Sequence, residues 1–523
     1  MMDHHADSTN LLPLLTIGVM TGNSVDGIDT VLTAFHADGR IQDLHNHFVP
    51  FEDTFYQAIR ALQHSVAQYA GHMETVAEQF HCSIAGISYS FDRLQRELID
   101  LVADSINALI IKARAHPPPY PTPDGLFPPV DIIGFHGQTC DHCPPSRLGA
   151  NDSKRVYTVQ IGDGQRLADL TGITVACDFR SDDLMAGGEA APLAPMHNLH
   201  LTNNARPSER IPIVFCNAGN TGNLSLISTA QLSHSAHQSY HPFLTYGWDT
   251  GPFNHYPDHL MRKYRNQPCD LDGRLGAQGH INLTLLATLF SHSVKHVTGD
   301  NYLLMSPPKS GDPNFYTWLP ALDDDTLPLA DRVRTAEYFA AYAFTHSLSF
   351  IPEHVQVPTH FALFGGGWSN PIIRQHFEGI LKGKFQENPI LPTHHTTFQH
   401  TLSRLHMNKN SIFITKTETF GINSQAMEAR VFADMARCRL MGIPFSTPEI
   451  TGVSSPTVGG ILRFPQQTAS NATSNVRAHL IEYSMKGPAQ NPITTDTRWS
   501  RASAGWWKRY TQPHNNTNNT INK

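Results

Sequence analysis

Residues 14–35 constrain the fold more than any other stretch. Leu14 to Met20 is an apolar, strand-like run. It enters the loop Thr21-Gly22-Asn23-Ser24-Val25-Asp26-Gly27, and a second strand-like run, Ile28 to Phe35, leaves it. Asp-Gly before β-branched residues is a strong hairpin signal. A tight turn rich in glycine and hydroxyls offers donors to an anion, usually a phosphate. On its own the loop reads as a phosphate hairpin or as an ordinary surface turn. The phosphate reading requires matching pieces downstream.

Length and composition narrow the class. At 523 residues the chain can hold two or three domains and a large core. Charged residues are 16% and the net charge is -7, so no nucleic-acid footprint or polybasic membrane patch is expected. No apolar run reaches the roughly 18 residues of a membrane helix. The first residues lack a basic n-region, so no signal peptide is expected. Seven scattered cysteines fit reduced thiols in a cytoplasmic protein. Cys140-Asp141-His142-Cys143 lacks the second ligand pair that zinc would want.

Along the chain, residues 1–10 read as a disordered tail. Phe91, Leu94, Leu98, Val102, Ile106 and Leu109 keep helical spacing and form one buried stripe. His116 to Pro129 holds seven prolines and reads as a surface excursion. Three short strands follow, Ile132–Phe135, Tyr157–Ile161 and Ile173–Cys177. Each ends in a polar or glycine-rich loop, as in an α/β sheet whose strand ends gather around a cleft. A second unit begins near Ile211. Its strand Ile211–Cys216 runs into Asn217-Ala218-Gly219-Asn220-Thr221-Gly222-Asn223, and His360–Phe364 runs into Gly365-Gly366-Gly367. Glu428 to Leu440 reads as a helix with Ala429, Phe432, Ala433 and Ala436 on one side, ending before Gly442. From Gln466 on, the chain is rich in Asn, Thr, Ser and Gln and reads as mostly disordered.

Several pieces can carry chemistry. Asp178 closes a strand, where a carboxylate can act as general base, and Arg180 beside it can hold a phosphate or tune the acid. The alternatives are a surface ion pair or a helix cap. Gly187-Gly188-Glu189 permits close backbone approach to a small ligand, or forms a simple turn. Asp249-Thr250-Gly251 with Asn254 and Asp258 is a second acid-hydroxyl-glycine cluster. Pro307-Pro308-Lys309-Ser310-Gly311 lacks the upstream glycine of a phosphate loop and is not read as one. The glycine triplet lacks the dinucleotide fingerprint.

Read in order, these pieces resemble the actin/Hsp70/sugar-kinase superfamily. The wording is similar to one family, the anhydro-N-acetylmuramic acid kinases. The shared motifs begin at Met20-Thr21-Gly22-Asn23-Ser24-Val25-Asp26-Gly27-Ile28-Asp29, His136 to Thr139 and Gln160 to Asp163. They continue through Thr171 to Leu193, then Asp249, Pro307, Gly365 and Glu428. The resemblance spans about residues 14–465. It implies an α/β fold of two ribonuclease-H-like lobes, 11–210 and 211–465, with an ATP cleft between them and a tail at 466–523.

The resemblance also implies roles. Asp178 and Arg180 are catalytic. Gly22, Asn23, Ser24, Asp26, Gly27, Asn217, Gly219, Asn223, Gly366, Gly367 and Asn370 face ATP. His136, Asp183 and Glu189 lie on the sugar side. Mg²⁺ accompanies ATP, with no ligand residue assigned to it. The partner is a small anhydro sugar, and the family implies a homodimer. Five departures stand out: Asn23 for a Thr, Asn220 for a Gly, Gly222 for an Ala, Gly311-Asp312 where an Arg is usual, and Glu189-Ala190 for Gln-Gly. A charged Glu189 pointing into the sugar pocket would change which sugar fits, or disfavour the acidic lactyl group of a muramic acid. Levoglucosan is therefore a rival substrate, and a catalytically silent nucleotide- or sugar-binding relative is a rival of another kind.

Overall fold

The computed structural model describes residues 13–22, 25–117, 127–147, 156–202, 210–229, 243–292, 301–311, 320–384, 392–407 and 412–466. The expectations for Asn23, Ser24, the N-terminal tail, the tail beyond 466, Asp312 and most of the proline-rich excursion lie outside these residues.

The strands are β1 (Leu14–Thr21), β2 (Gly27–Phe35), β3 (Ile41–Pro50), β4 (His81–Ile84), β5 (Ile87–Ser90), β6 (Ile132–Cys143), β7 (Tyr157–Ile161), β8 (Val175–Cys177), β9 (Ile213–Ala218), β10 (Thr221–Ser228), β11 (Leu244–Pro252), β12 (His360–Phe364), β13 (Phe413–Lys416) and β14 (Ile461–Arg463). The helices are α1 (Asp53–Gln68), α2 (Met73–Gln79), α3 (Phe91–Ala115), α4 (Gly164–Thr171), α5 (Ser181–Met185), α6 (Ala194–Leu201), α7 (His255–Arg265), α8 (Leu283–His292), α9 (Leu329–His346), α10 (Pro371–Leu381), α11 (Pro392–Met407) and α12 (Met427–Met441).

Two sheets repeat one topology. The first runs β14-β8-β6-β1-β2-β3, with β7 on β6; the second runs β11-β10-β9-β12-β13. In each, three consecutive strands form an antiparallel meander. A later strand then lies parallel to the first of them, β6 beside β1 and β12 beside β9, and one more parallel strand follows. This order, with the second strand reversed, is the one expected of ribonuclease-H-like halves. The β4–β5 hairpin stands apart.

Strand alternation decides what each face meets. On β1, Leu15, Ile17 and Val19 join the core under α1 and α3, including the helical stripe Leu94, Leu98, Val102, Ile106 and Leu109. On β9, Val214, Cys216 and Ala218 join a second core with α7, α9 and α10. The opposite faces, Leu14, Ile132 and Ala176 on one sheet and Ile213 and Phe215 on the other, meet a third core built on α12 and α6. The layers therefore run helices, first sheet, α12, α6, second sheet, helices.

α12 lies within the segment expected to form the second lobe, yet it packs on the first sheet. β14, from the same segment, extends that sheet by pairing with β8. A pair of glycines explains the docking. Gly18 and Gly134 face each other in the parallel register of β1 and β6. A Cβ on Gly18 would lie 1.9 Å from the Ala429 carbonyl oxygen, and one on Gly134 would lie 1.9 Å from that of Phe432. Helix backbone thus sits directly on sheet backbone, a close approach only glycine permits. The small residues Ala429, Ala433 and Ala436 make the helix side of the contact. Gly442, in the left-handed conformation at φ 66°, ends α12 as its position in the sequence implies.

β6 differs most from its expected length; β8 is shorter than expected, Val175–Cys177, and β9 is shifted to Ile213–Ala218. β6 does not stop at His136 but runs to Cys143, 12 residues in all. Its polar second half pairs with β7 across a register shift between Thr139 and Asp141. Gly137, at φ 81°, lies at a separate irregularity, where the β1–β6 register shifts between Phe135 and Gln138.

Candidate active site

The C-terminal ends of the parallel strands β1, β6 and β8 reach one edge of the first sheet, and those of β9 and β12 reach one edge of the second. Alternation then selects which side chains face the space between the sheets. On β2, Val31 contacts Ala429 of α12, so Asp29, two residues earlier, shares that face. On β6, Gly134 lies against α12, so His136 follows on the same side, its ring 4.4 Å from that of Phe432. On β9, Asn217 continues the row of Ile213 and Phe215. Asn217 pairs across the hairpin with Asn223.

Asp178 follows β8 directly. It adopts φ 55°, a conformation that costs a non-glycine residue and clusters at functional sites. Its side chain is exposed, and Ser181 Oγ donates to Oδ1 at 2.5 Å. Arg180 turns back over the sheet: Nε donates to His136 Nε2 at 2.9 Å and a terminal nitrogen to the Ala190 carbonyl at 2.5 Å. Burial, then the guanidinium, hold His136 well below the ordinary histidine range. The ring is therefore neutral, and because Nε2 accepts from Arg180 its proton sits on Nδ1.

Beside these groups lies an acid cluster of which the sequence reading singled out Asp26 alone. Burial, then Glu428 and Asp26, push Asp29 up to about 7. Glu428, on the first turn of α12, is raised by burial and then by Asp26, while a hydrogen bond with Asn217 opposes the shift. Asp26 is exposed, Asp29 is half-buried, and Glu428 reaches solvent while protein atoms crowd closely around its carboxyl. Mutual repulsion among the carboxylates thus adds to the upward shifts of Asp29 and Glu428. A sequence signal existed: an acid at the start of an otherwise apolar helix, and an acid in phase with Val31.

The expected nucleotide residues divide. Gly22 sits in the β1–β2 turn; its carbonyl accepts from Val25 N–H and Gln138 Nε2, both at 3.0 Å. Gly27 is different: it is buried in β2, where a Cβ would lie 2.3 Å from the Val49 carbonyl, so packing against β3 explains it. Asn217 to Asn223 is not an extended loop but a two-residue hairpin, Gly219-Asn220. Neither residue has positive φ, so Asn220 needs no special conformational tolerance. Asn254 and Phe253 amides donate to the Gly219 and Asn220 carbonyls and buttress the turn.

In the glycine triplet, Gly365 takes φ 93° against Asn217, and Gly366 faces open space. Gly367 is filled differently: a Cβ there would lie 2.4 Å from Asn254 Oδ1. Asn370 caps α10 through Ile372 and Ile373 N–H, and its amide donates to Glu337 at 2.6 Å. Gly366 alone of these three presents free backbone. Trp368 anchors the triplet from below, donating to the Cys216 carbonyl at 2.9 Å.

The expected sugar-side acids are both engaged. Asp183 is fully buried and accepts from Ala190 N–H at 2.6 Å. Glu189 is buried, with Oε1 accepting from Ser146 N–H at 2.9 Å and Oε2 from the hydroxyls of Ser146 and Ser310. Asp249 accepts from Gly311 N–H at 2.6 Å. Lys309 points away from the strand ends, its ammonium donating to the Tyr302 carbonyl at 3.0 Å. Burial pushes that lysine down to about 7. His200, Asp434 and Cys438 cluster within metal-ligand distance. Arg437 donates to Asp434 at 2.7 Å and contacts His200, however, so a cation there would meet a guanidinium.

Residues 14–390 and 396–465 match the family model described as anhydro-N-acetylmuramic acid kinase. A protein of that name from Methylorubrum populi is 30% identical over 460 residues, covering 86% of this chain and 98% of the relative. The chain belongs to this family. A Vibrio cholerae member is 27% identical, with 86% and 98% covered. Membership makes the protein a phosphotransferase. Among solved structures, a xylulose kinase from Lactobacillus acidophilus aligns at a TM-score of 0.33 and 10% identity, covering 92% of this chain and 99% of that one. A ROK family glucokinase from Streptomyces griseus aligns at 0.31 and 9%, covering 81% and 99%. No helix among the described residues is long and apolar enough to cross a membrane.

Proposed function

We propose that the protein uses ATP to open the 1,6-anhydro bridge of 1,6-anhydro-N-acetylmuramic acid and to phosphorylate O6. Its relatives carry that sugar in their names. The observation that carries the reading is Asp178, exposed and conformationally strained at a strand end, beside an arginine that a neutral histidine holds in place.

Asp178 takes a proton from water as the water oxygen bonds to C1. The C1–O6 bond breaks with its electron pair on O6. O6 bonds to the γ-phosphorus, and the bond from that phosphorus to the bridging oxygen breaks, releasing ADP. Arg180, tied to His136 and Ala190, stays cationic beside the reacting charge. Most of the protein's contribution is positioning and charge stabilisation.

Magnesium, when bound, would neutralise charge on the ATP phosphates. Asp26, Asp29 and Glu428 fit it, since their mutual repulsion is the kind a divalent cation relieves. Gly22, Asn217, Gly219 and Gly366 are the backbone and amide groups assigned to the nucleotide. The burial of Glu189 removes the sequence argument against a lactyl group.

The test is Asp178→Asn. Phosphate transfer should fall by about 10²–10⁴-fold, the usual share of a general base, while ATP affinity stays within about threefold. Near-full turnover in the variant would overturn the assignment of the base.

A further inference from the structure

One acid lies deep in the second half. Glu337 is fully buried on α9, where most of its neighbours are alanines and aromatic residues packed against α7, α8 and α10. A carboxyl in such a place is costly unless specific bonds compensate it, and an apolar residue would serve stability at least as well. Its bonds point to one place. Oε1 accepts from the side-chain amide of Asn370 at 2.6 Å. Oε2 lies against the turn 270–276, where a Cβ on Gly276 would stand 1.9 Å from it.

That turn is shaped to fit the pair. Asp270 holds it, its carboxylate accepting from the Leu275 and Gly276 N–H groups at 2.8–3.1 Å. Gly273, at φ 64°, brings the turn onto Asn370 as well, since a Cβ there would lie 2.7 Å from Asn370 Oδ1. Two glycines thus let bare backbone close over Glu337 and Asn370.

Asn370 in turn ends the segment that carries the glycine triplet. Its N–H donates to the Gly367 carbonyl at 3.1 Å, and Trp368 N–H donates to the Gly365 carbonyl at 3.3 Å. Its Oδ1 accepts from Ile372 and Ile373 N–H and caps α10. Both ends of the Asn370 amide are therefore engaged by the protein, the oxygen by α10 and the nitrogen by Glu337.

We propose that Glu337 is a positioning residue for nucleotide binding: through Asn370 it fixes the Gly365–Gly367 turn, so that the open backbone of Gly366 meets ATP in one place. The inference rests on the nucleotide role proposed for Gly366. Burial pushes the Glu337 carboxyl up to about 8; the Asn370 bond opposes that shift and Asp270 adds to it. An uncharged side chain with a carbonyl oxygen therefore suits the site, and glutamine should replace the acid.

Titration of the full chain with magnesium and a non-hydrolysable ATP analogue tests this without turnover, with melting temperatures read separately. Glu337→Met fills the space but offers no acceptor. Asn370→Ser keeps a cap for α10 but is too short to reach Glu337. Each should weaken binding about tenfold, the scale of one lost hydrogen bond. The double variant should bind within about twofold of the weaker single, because both changes remove one interaction. Glu337→Gln should stay within about twofold of the parent, since its amide oxygen can accept from Asn370.

Glu337→Met with the affinity of the parent would overturn the proposal; a loss in Asn370→Ser alone would mean that Asn370 touches the nucleotide itself. A double variant weakened about a hundredfold, the product of the singles, would overturn it too. So would Glu337→Gln as weak as Glu337→Met. Gly276→Ala displaces the carboxyl without touching Asn370 and gives a second route should Glu337→Met not fold; unchanged affinity there would also overturn the proposal. A parent that binds no analogue would overturn the nucleotide reading underneath, which is a different failure from a parent that binds and variants that bind equally well.

Discussion

The β1–β2 and β9–β10 hairpins occupy the same place in two sheets of the same order, and they are built differently. The first has a loop from Gly22 to Asp26, with Val25 at φ 58° and Asp26 exposed at its rim. The second has two residues, no positive φ, and carbonyls braced by Asn254 and Phe253. Acids gather around the first: Asp26, Asp29 and Glu428. Amides and bare backbone gather around the second: Asn217, Asn223, Gly219 and Gly366. One topology, used twice, thus gives a half that can manage protons and cations and a half that can cradle a neutral or anionic group. α12 joins them, because it docks on the first sheet while Glu428 reaches Asn217 of the second.

The division of labour is open to test. Glu428→Gln should raise the magnesium concentration needed for turnover on the order of a hundredfold, the scale on which metal-site changes act. In the parent, apparent magnesium affinity should rise from pH 6 to pH 8. Asp29 is protonated below about 7 and must ionise to take a cation. Asp29→Asn should flatten that rise, and an unchanged slope would remove Asp29 from the cation site.

The glycines give a second contrast, read by calorimetry and nucleotide titration. Gly18→Ala should destabilise the protein by about 1–3 kcal/mol or more, since its Cβ would meet helix backbone. Gly366→Ala should leave stability within about 0.5 kcal/mol and weaken nucleotide binding several-fold, because a Cβ there meets nothing within 4 Å. If Gly366→Ala binds nucleotide as well as the parent, the second half is not the cradle. The smallest effect is expected at Ala190, at φ 54°, where Ala190→Gly should add up to about 1 kcal/mol to thermal stability.

Much of this architecture was legible in the residues. β7 and β12 begin and end where alternation and flanking glycines place them, and the small-residue side of α12 is the side against the first sheet, although Arg430 and Asp434 on its other faces are buried as well. What alternation could not reveal was partnership. Nothing local to α12 says that it lies on β1 and β6; that depends on two glycines more than a hundred residues apart which become register partners. The same ambiguity affected the site. Glycine serves ligands and close packing alike, so Gly27 and Gly367 read as ligand positions although Val49 and Asn254 account for them. Asn370 read as a ligand contact and is a helix cap. Glu189 read as a charge facing a sugar, and its partners are two serines. Asp29 and Glu428 stood in plain view within recognised motifs. Their significance emerged only when strand phase and helix docking brought them together.

The central claim is that acids of the first half and the cradle of the second together open a bridged sugar with water while phosphorylating it. The most direct measurement is the mass of the product formed from ATP, magnesium and 1,6-anhydro-N-acetylmuramic acid. The account predicts a product heavier than the sugar by one water and one HPO₃. A product heavier by HPO₃ alone, or an unchanged sugar, would contradict it.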